Sequence, residues 1–399
     1  MKNSVEEILC GLLARELFGA EYVPPSDTDW HAVYDEACVQ AVIIPAFLGC
    51  GDYDIPEAVK EKIRNAVFAA TNSNIYANNC HAWLAKLLKK NSVPYCILKG
   101  SASAAYYPSP FMRIMGDVDF IVRKEDFDRT AELLKSQGLR FNSGNDKHDG
   151  YTNGRILFEM HRCFSPGKDA KNTEIIDGYM SSVIDTAKQY ESNGLAFCVP
   201  DVFHHGLIML LHCQRHLVGC GGIGMRHLCD WAVFVNSPEC AEFPEIFEQK
   251  LRKIGLWNFA VTLSLAAVTA LKMPRREWMG NDTKLAEDLV KNILMGGNFA
   301  RKSPTVGYEQ LFMNVDGKAQ RSVLLYLFLG LNQTVYAHWP AAKKYKILLP
   351  AGWIYFPLRR LFLLVVGKRR YENISEIVDN SKFRRNLYDE LRLFEVDPD

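Results

Sequence analysis

The sequence predicts an α+β protein in which a small mixed β-sheet core is flanked by N- and C-terminal helical regions. Three observations carry this. Apolar residues recur at helical spacing up to about Asn91, short apolar runs alternate with one strong helix from Ser92 to about Phe164, and helical spacing then returns and runs toward Asp399. The domain reading follows as 1–91 helical, 92–165 an α/β core, and 166–399 mainly helical. A chain of 399 residues is long for one compact domain, so two or three packed subdomains are expected.

MKNSVEEILCGLLARELFG reads as an amphipathic helix interrupted by Glu6, Glu7, Arg15 and Glu16, without the unbroken apolar core of a signal peptide. WHAVYDEACVQAVIIPAFLGC follows. The segment PEAVKEKIRNAVFAATNSNIYANNCHAWLAKLLKK then repeats apolar residues at helical spacing, with Pro56 near its start. VPYCILKG and DVDFIV read as strands, KEDFDRTAELLKSQGL as a helix ending at Gly138, and RILFEMHRCF as a further strand. TEIIDGYMSSVIDTAKQY, DVFHHGLIMLLHCQRHLV and GMRHLCDWAVFVN open the second helical region.

Composition excludes several function classes. A hydrophobic fraction of 48% and a charged fraction of 23% describe an ordinary folded chain with ample core. Lys and Arg number 47 against 46 Asp and Glu, so no global charge draws the protein to nucleic acid or an anionic membrane. Eleven cysteines, odd in number and without a CxxC pair, argue against a disulfide framework or zinc finger. A cytoplasmic location is the expectation.

Chemistry concentrates in LKGSASAAYYPSPFMRIMGDVDFIV, residues 98–122. Asp117 and Asp119 are two apart in a strand and project together, while Val118 and Phe120 face apolar packing on the other side. Buried side by side they repel, unless one takes a proton or a divalent cation such as Mg²⁺ or Mn²⁺ sits between them. Alone, the pair equally suits an exposed strand end. Upstream, ILKGS leads a strand into Gly100-Ser101, where glycine allows close backbone approach and the Ser101 hydroxyl with free N–H groups forms a phosphate cradle. Downstream, the alternation in RILFEMHRCF places Leu157, Glu159 and His161 on one face. If that strand lies beside the one bearing the aspartates, three carboxylates converge, a ligand set for two metals ~3.5–4 Å apart in phosphoryl displacement.

The order strand, Gly-Ser, short helix, Asp-Val-Asp, helix and acid-bearing strand resembles the core of the DNA polymerase β-like nucleotidyltransferase superfamily. LKGSASAAYYPSPFMRIMGDVDFIV with FEMHRCF, LLHCQRH and GIGMRHLCDWAVF is similar, more narrowly, to a bacterial family of uncharacterised nucleotidyltransferases, over about residues 92–235. The resemblance implies that Gly100 and Ser101 hold a nucleoside triphosphate such as ATP. It also implies that Asp117, Asp119 and Glu159 are catalytic and bind Mg²⁺ or Mn²⁺, and that a nucleoside monophosphate passes to a hydroxyl of a protein, RNA end or small molecule with release of pyrophosphate. A nucleotide-binding regulatory protein without catalysis is the alternative. The link from Ser101 to Asp117 is longer than in many superfamily members. Its YYPSPFMR segment brings Arg113 forward as a phosphate ligand, and Lys99 is a second candidate whose direction strand alternation leaves open.

Two other features compete for attention. His205, His212 and His216 share a helical face at spacings that suit a transition metal, or else hydrogen bonds to Asp230 or the backbone, or a place along the cleft. His161, His212, His216 and Arg226 are the candidates to line that cleft, and Arg226 is spaced to pair with Asp230. Near the C-terminus, YKILLPAGWIYFPLRRLFLLVVGKRR is apolar and aromatic, but Pro350 and Pro357 break it and Arg359 and Arg360 interrupt it, so no transmembrane span is expected. A core-facing helix is one reading. Peripheral membrane contact through 357–370, with Arg359, Arg360, Lys368, Arg369 and Arg370 around the apolar run, is the other.

Overall fold

The computed structural model describes residues 4–145, 147–164, 172–192, 194–219, 222–302, 331–332, 334–336, 338–339, 341–365 and 374–393. Four helices come first: α1 (Val5–Phe18), α2 (Trp30–Val39), α3 (Ile43–Phe47) and α4 (Glu57–Lys90). Local chemistry accounts for their ends. Ser4 and Glu7 form a reciprocal capping box at the start of α1, and Gly19 closes it in the left-handed conformation. Pro56 precedes α4, with Glu57 in its first turn and Lys89 and Lys90 in its last, each complementing the helix dipole.

The sheet follows as β1 (Tyr95–Ile97), a short helix α5 (Ser101–Ala104), β2 (Val118–Val122), α6 (Phe127–Ser136), β3 (Arg140–Gly144), β4 (His148–Thr152) and β5 (Leu157–His161). Its strand order is β1-β2-β5-β4-β3, with β2 and β5 parallel and every other neighbour antiparallel. One face is apolar. Val118, Phe120, Phe158 and Met160 share a core with Leu84 and Leu88 of α4 and Leu134 of α6. That burial leaves the opposite face, with Asp119, Glu159 and His161, free to form a site.

Beyond the sheet lie α7 (Thr173–Met180), β6 (Lys188–Ser192), β7 (Leu195–Val199), α8 (Val202–Gly219), α9 (Met225–Val235), α10 (Phe243–Lys253), α11 (Trp257–Leu271) and α12 (Thr283–Gly296). Helices described beyond these include α13 (Ala341–Lys344), α14 (Leu349–Val365) and α15 (Ile374–Glu390). A second, larger core joins α1–α3 to α8–α12, and α11 packs against α1, α9 and α12. Helix α4 serves both cores: Val59 and Ile63 enter the helical one, and Ala77 to Leu88 the sheet one. At about 50 Å long it ties the sheet rigidly to the helices.

The structure corrects the sequence reading at four strands and one helix. β3 and β4 carry almost no apolar alternation, and β3 is exposed throughout, so neither strand announced itself. The helical reading of TEIIDGYMSSVIDTAKQY fails after α7, where β6 and β7 form an antiparallel hairpin. The Asn193-Gly194 dipeptide between them is a strong hairpin signal. This hairpin packs against α4 and β1 and sends Phe197 into the sheet core. Prolines 350 and 357 do not break α14. Pro350 is the second residue of the helix, where its missing N–H is no loss, and Pro357 lies on an exposed position within it. Among the described residues no helix is long and apolar enough to cross a membrane. Lys368, Arg369 and Arg370 lie outside the described residues.

Candidate active site

The parallel register of β2 and β5 sets Asp119 beside Glu159 and Ile121 beside His161. Because alternate residues share a face, Asp119, Glu159 and His161 are brought to one side of the sheet. One ligand atom from each lies within 4.8 Å of the others. His161 Nε2 is 2.9 Å from Asp119 Oδ1 and 3.8 Å from Glu159 Oε2. Its ring stacks on Phe164, with centroids 5.5 Å apart, which holds it facing the acids. Asp117 is outside this trio. It is exposed, just before β2, although Asp119 acts on it through its charge.

Lys99 resolves the direction that alternation left open. It leaves β1 toward the acids and donates from Nζ to Asp119 Oδ1 at 2.9 Å. Burial alone drives the Asp119 carboxyl upward, but Lys99 and then His161 outweigh it and hold the group well below the ordinary carboxylate range. Glu159 is less well compensated: His148 Nε2 and His161 Nε2 stand 3.7 and 3.8 Å from its oxygens, and Lys99 only partly opposes its rise. Burial first, and the Asp119 charge second, push it up to about 7. Asp117, although its side chain reaches solvent, is raised as well by the protein packed around it and then by Asp119, with Lys99 and Arg226 opposing. The site therefore holds more negative charge than its lysine neutralises.

The turn before the acids is under tight constraint. Gly100 has φ +63°, and a Cβ there would stand 3.0 Å from the buried ring of His81. Only glycine fits both conditions. Ser101 is buried, and its hydroxyl donates to Asn78 Oδ1 of α4 at 2.6 Å, which fastens the turn to that helix.

Arg113 is placed differently from the sequence expectation. It is buried and donates from Nε and Nη2 to the two oxygens of Asp230 on α9, at 2.9 and 2.8 Å, while Tyr107 donates to the same carboxylate at 2.8 Å. The expected Arg226–Asp230 pair gives way to it, because a buried carboxylate is best satisfied by the bidentate fork that reaches it. Arg226 instead reaches the Ile114 carbonyl at 3.5 Å and lies over the Phe299 ring. Loop and helix are thus locked together beneath the site.

The histidines of α8 separate. His205 turns to Ser103 at 3.1 Å and packs on Tyr106 and Phe234. His212 and His216 meet Nε2 to Nε2 at 2.9 Å, with the His227 ring beside them. Burial lowers all three of that trio, His216 to about 4. Among the described residues the only metal-suited group is that of Asp119, Glu159 and His161. Sequence reasoning missed Arg215, which joins Lys99, His161 and His212 around a depression of about 40 Å³. It stands three residues after His212 on α8, so helical spacing was the available signal.

A family model described as uncharacterised nucleotidyltransferase matches residues 26–270. Among solved structures the chain is similar to an antigenic nucleotidyltransferase-like protein from Paracoccidioides brasiliensis, at 16% identity and a TM-score of 0.30, covering 50% of this chain and 94% of that one. No curated protein matches.

Proposed function

The chain belongs to the uncharacterised nucleotidyltransferase family, and on that premise we propose that it transfers a nucleoside monophosphate from a nucleoside triphosphate to a hydroxyl acceptor, with a divalent cation. The supporting observation is the register that pairs Asp119 with Glu159 on parallel strands. The two carboxylates fit Mg²⁺ or Mn²⁺ as oxygen donors, the His161 ring has a nitrogen within the same 4.8 Å, and Glu159 is destabilised as an anion until a cation joins it. Asp119, Glu159 and His161 would hold the ion, with Asp117 at the entrance. When bound, the cation neutralises charge on the phosphates as the bond at Pα changes hands.

The chain's own residues do the rest. Gly100 admits the triphosphate close to the backbone, and the turn stays in place through the Ser101–Asn78 bond. Lys99, Arg215 and Arg226 face the phosphates as cations. Glu159 accepts the proton of the acceptor hydroxyl as its oxygen attacks Pα, and the Pα–O bond to pyrophosphate breaks. The test is a screen of the four labelled nucleoside triphosphates with Mg²⁺ or Mn²⁺ and cell extract. Labelling should occur with wild type and vanish with Asp119→Asn and Asp117→Asn; equal labelling by all three overturns the reading.

One observation favours a second reading, a nucleotide-binding regulator without catalysis: Lys99 already neutralises Asp119. Calorimetry showing triphosphate binding with no pyrophosphate release over a broad acceptor panel would select it.

A further inference from the structure

Charge is distributed unevenly along this near-neutral chain. Residues 317–371 contain ten lysines and arginines and no aspartate or glutamate, so the remainder is net acidic. The same stretch is rich in aromatic residues, among them Trp339, Tyr345, Trp353 and Tyr355. A one-sign basic segment with tryptophan and tyrosine has the composition of a chain that rests on anionic lipid headgroups.

Helix α14 shows how it would do so. Its inner face is packed: Phe356 joins Val335 and Ala342 in a small core of their own, Trp353 Nε1 donates to Asn332 at 2.7 Å, and a Cβ on Gly352 would come within 2.4 Å of Val335. That contact determines which side is left outside. On it Ile354, Leu358 and Phe362, four residues apart, are 64%, 60% and 64% exposed, Tyr355 is 49% exposed, and Ile347 just before the helix is 85% exposed. Single exposed apolar residues are ordinary, whereas a continuous stripe of them is not. Lys344, Lys346 and Arg359 are exposed around it. Among the described residues the helix is not long and apolar enough to cross a bilayer, and here it would lie in the interface plane.

We propose that α14 docks the protein on the surface of a bilayer containing anionic lipid, with Ile347, Ile354, Leu358 and Phe362 entering the boundary between headgroups and acyl chains and Lys344, Lys346 and Arg359 meeting the lipid phosphates and carboxylates. A protein partner would be expected to supply compensating acids at a mixed-charge surface, whereas an anionic bilayer answers a segment with no acid of its own. This binding is independent of the transferase reading.

The full-length chain is floated with vesicles of phosphatidylcholine alone or with roughly a third phosphatidylserine. Binding to the anionic vesicles should be about tenfold tighter or more, and should weaken in high salt. Leu358→Glu with Phe362→Glu should reduce it about tenfold or more, with the circular dichroism of the fold unchanged, since both side chains are exposed. Absence of vesicle binding, or equal binding to the two compositions, overturns the proposal. So does a dimer in sedimentation that the double variant dissociates while vesicle binding stays untouched, because a second copy then covers the stripe.

Discussion

Asp119 and Glu159 occupy paired positions on parallel strands β2 and β5, with His161 Nε2 2.9 Å from the first and 3.8 Å from the second. Asp119→Asn removes a charge from this group without changing its shape. Transfer should fall by about 10²–10³-fold or more, as for loss of a principal electrostatic contact, with the circular dichroism spectrum kept. Activity within tenfold of wild type would place the chemistry elsewhere.

Lys99 Nζ stands 2.9 Å from Asp119 Oδ1, an oxygen that a cation at the trio would also use. Lys99→Met should therefore raise the affinity of the trio for Mn²⁺, measured by calorimetry, because the competing ammonium is gone. The same variant should bind nucleoside triphosphate about tenfold more weakly, the loss of one charge-assisted contact of about 1.4 kcal/mol. Unchanged Mn²⁺ affinity would show that the lysine does not compete.

Glu159 gives a pH dependence of definite sign. Its carboxyl is raised from 4.5 to about 7 in the folded chain, so between those values the folded state binds more protons than the unfolded one. Stability at this position then falls as pH rises through the window. Glu159→Gln should flatten that part of the melting curve and raise the melting temperature at neutral pH by roughly 1–3 °C. Asp119 acts in the opposite sense: its depressed carboxyl contributes stability above the ordinary carboxylate range, and that contribution is lost as pH falls below it.

Gly100→Ala forces a side chain into a left-handed conformation 3.0 Å from the His81 ring. Urea unfolding should show a loss of about 1–2 kcal/mol. His81→Ala should recover the packing part of that loss in the double variant but not the backbone part.

The Arg113–Asp230 pair is buried, so breaking it is costly. Arg113→Met should destabilise by about 3–5 kcal/mol, and Arg113→Met with Asp230→Leu should recover most of this, short of the bond from Tyr107. Triphosphate affinity of the folded double variant should stay within about threefold of wild type. A tenfold loss would return Arg113 to the phosphates.

The helical regions, β1, β2, β5 and α6 were legible because each buries one face, and burial writes itself into the spacing of apolar residues. The polar strands β3 and β4 bury too little to leave that trace, and the hairpin β6–β7 was read as helix, its Asn193-Gly194 dipeptide being the one signal that could have revealed it. The same division runs through the site. Gly-Ser, Asp-Val-Asp and the acid of β5 were legible as motifs, since strand alternation decides which neighbours along the chain share a side.

By itself, then, the sequence determined β1, β2, β5, α6 and the helices that flank them, the family, and the acids that bring charge to one sheet face. Tertiary structure alone decided who meets whom: His161 and Lys99 at Asp119, Arg113 rather than Arg226 at Asp230, and Ser101 at Asn78. The physical reason is that buried charges and hydroxyls choose the partner that best repays their desolvation. That partner lies across strand register and helix packing, at distances along the chain that no local pattern encodes.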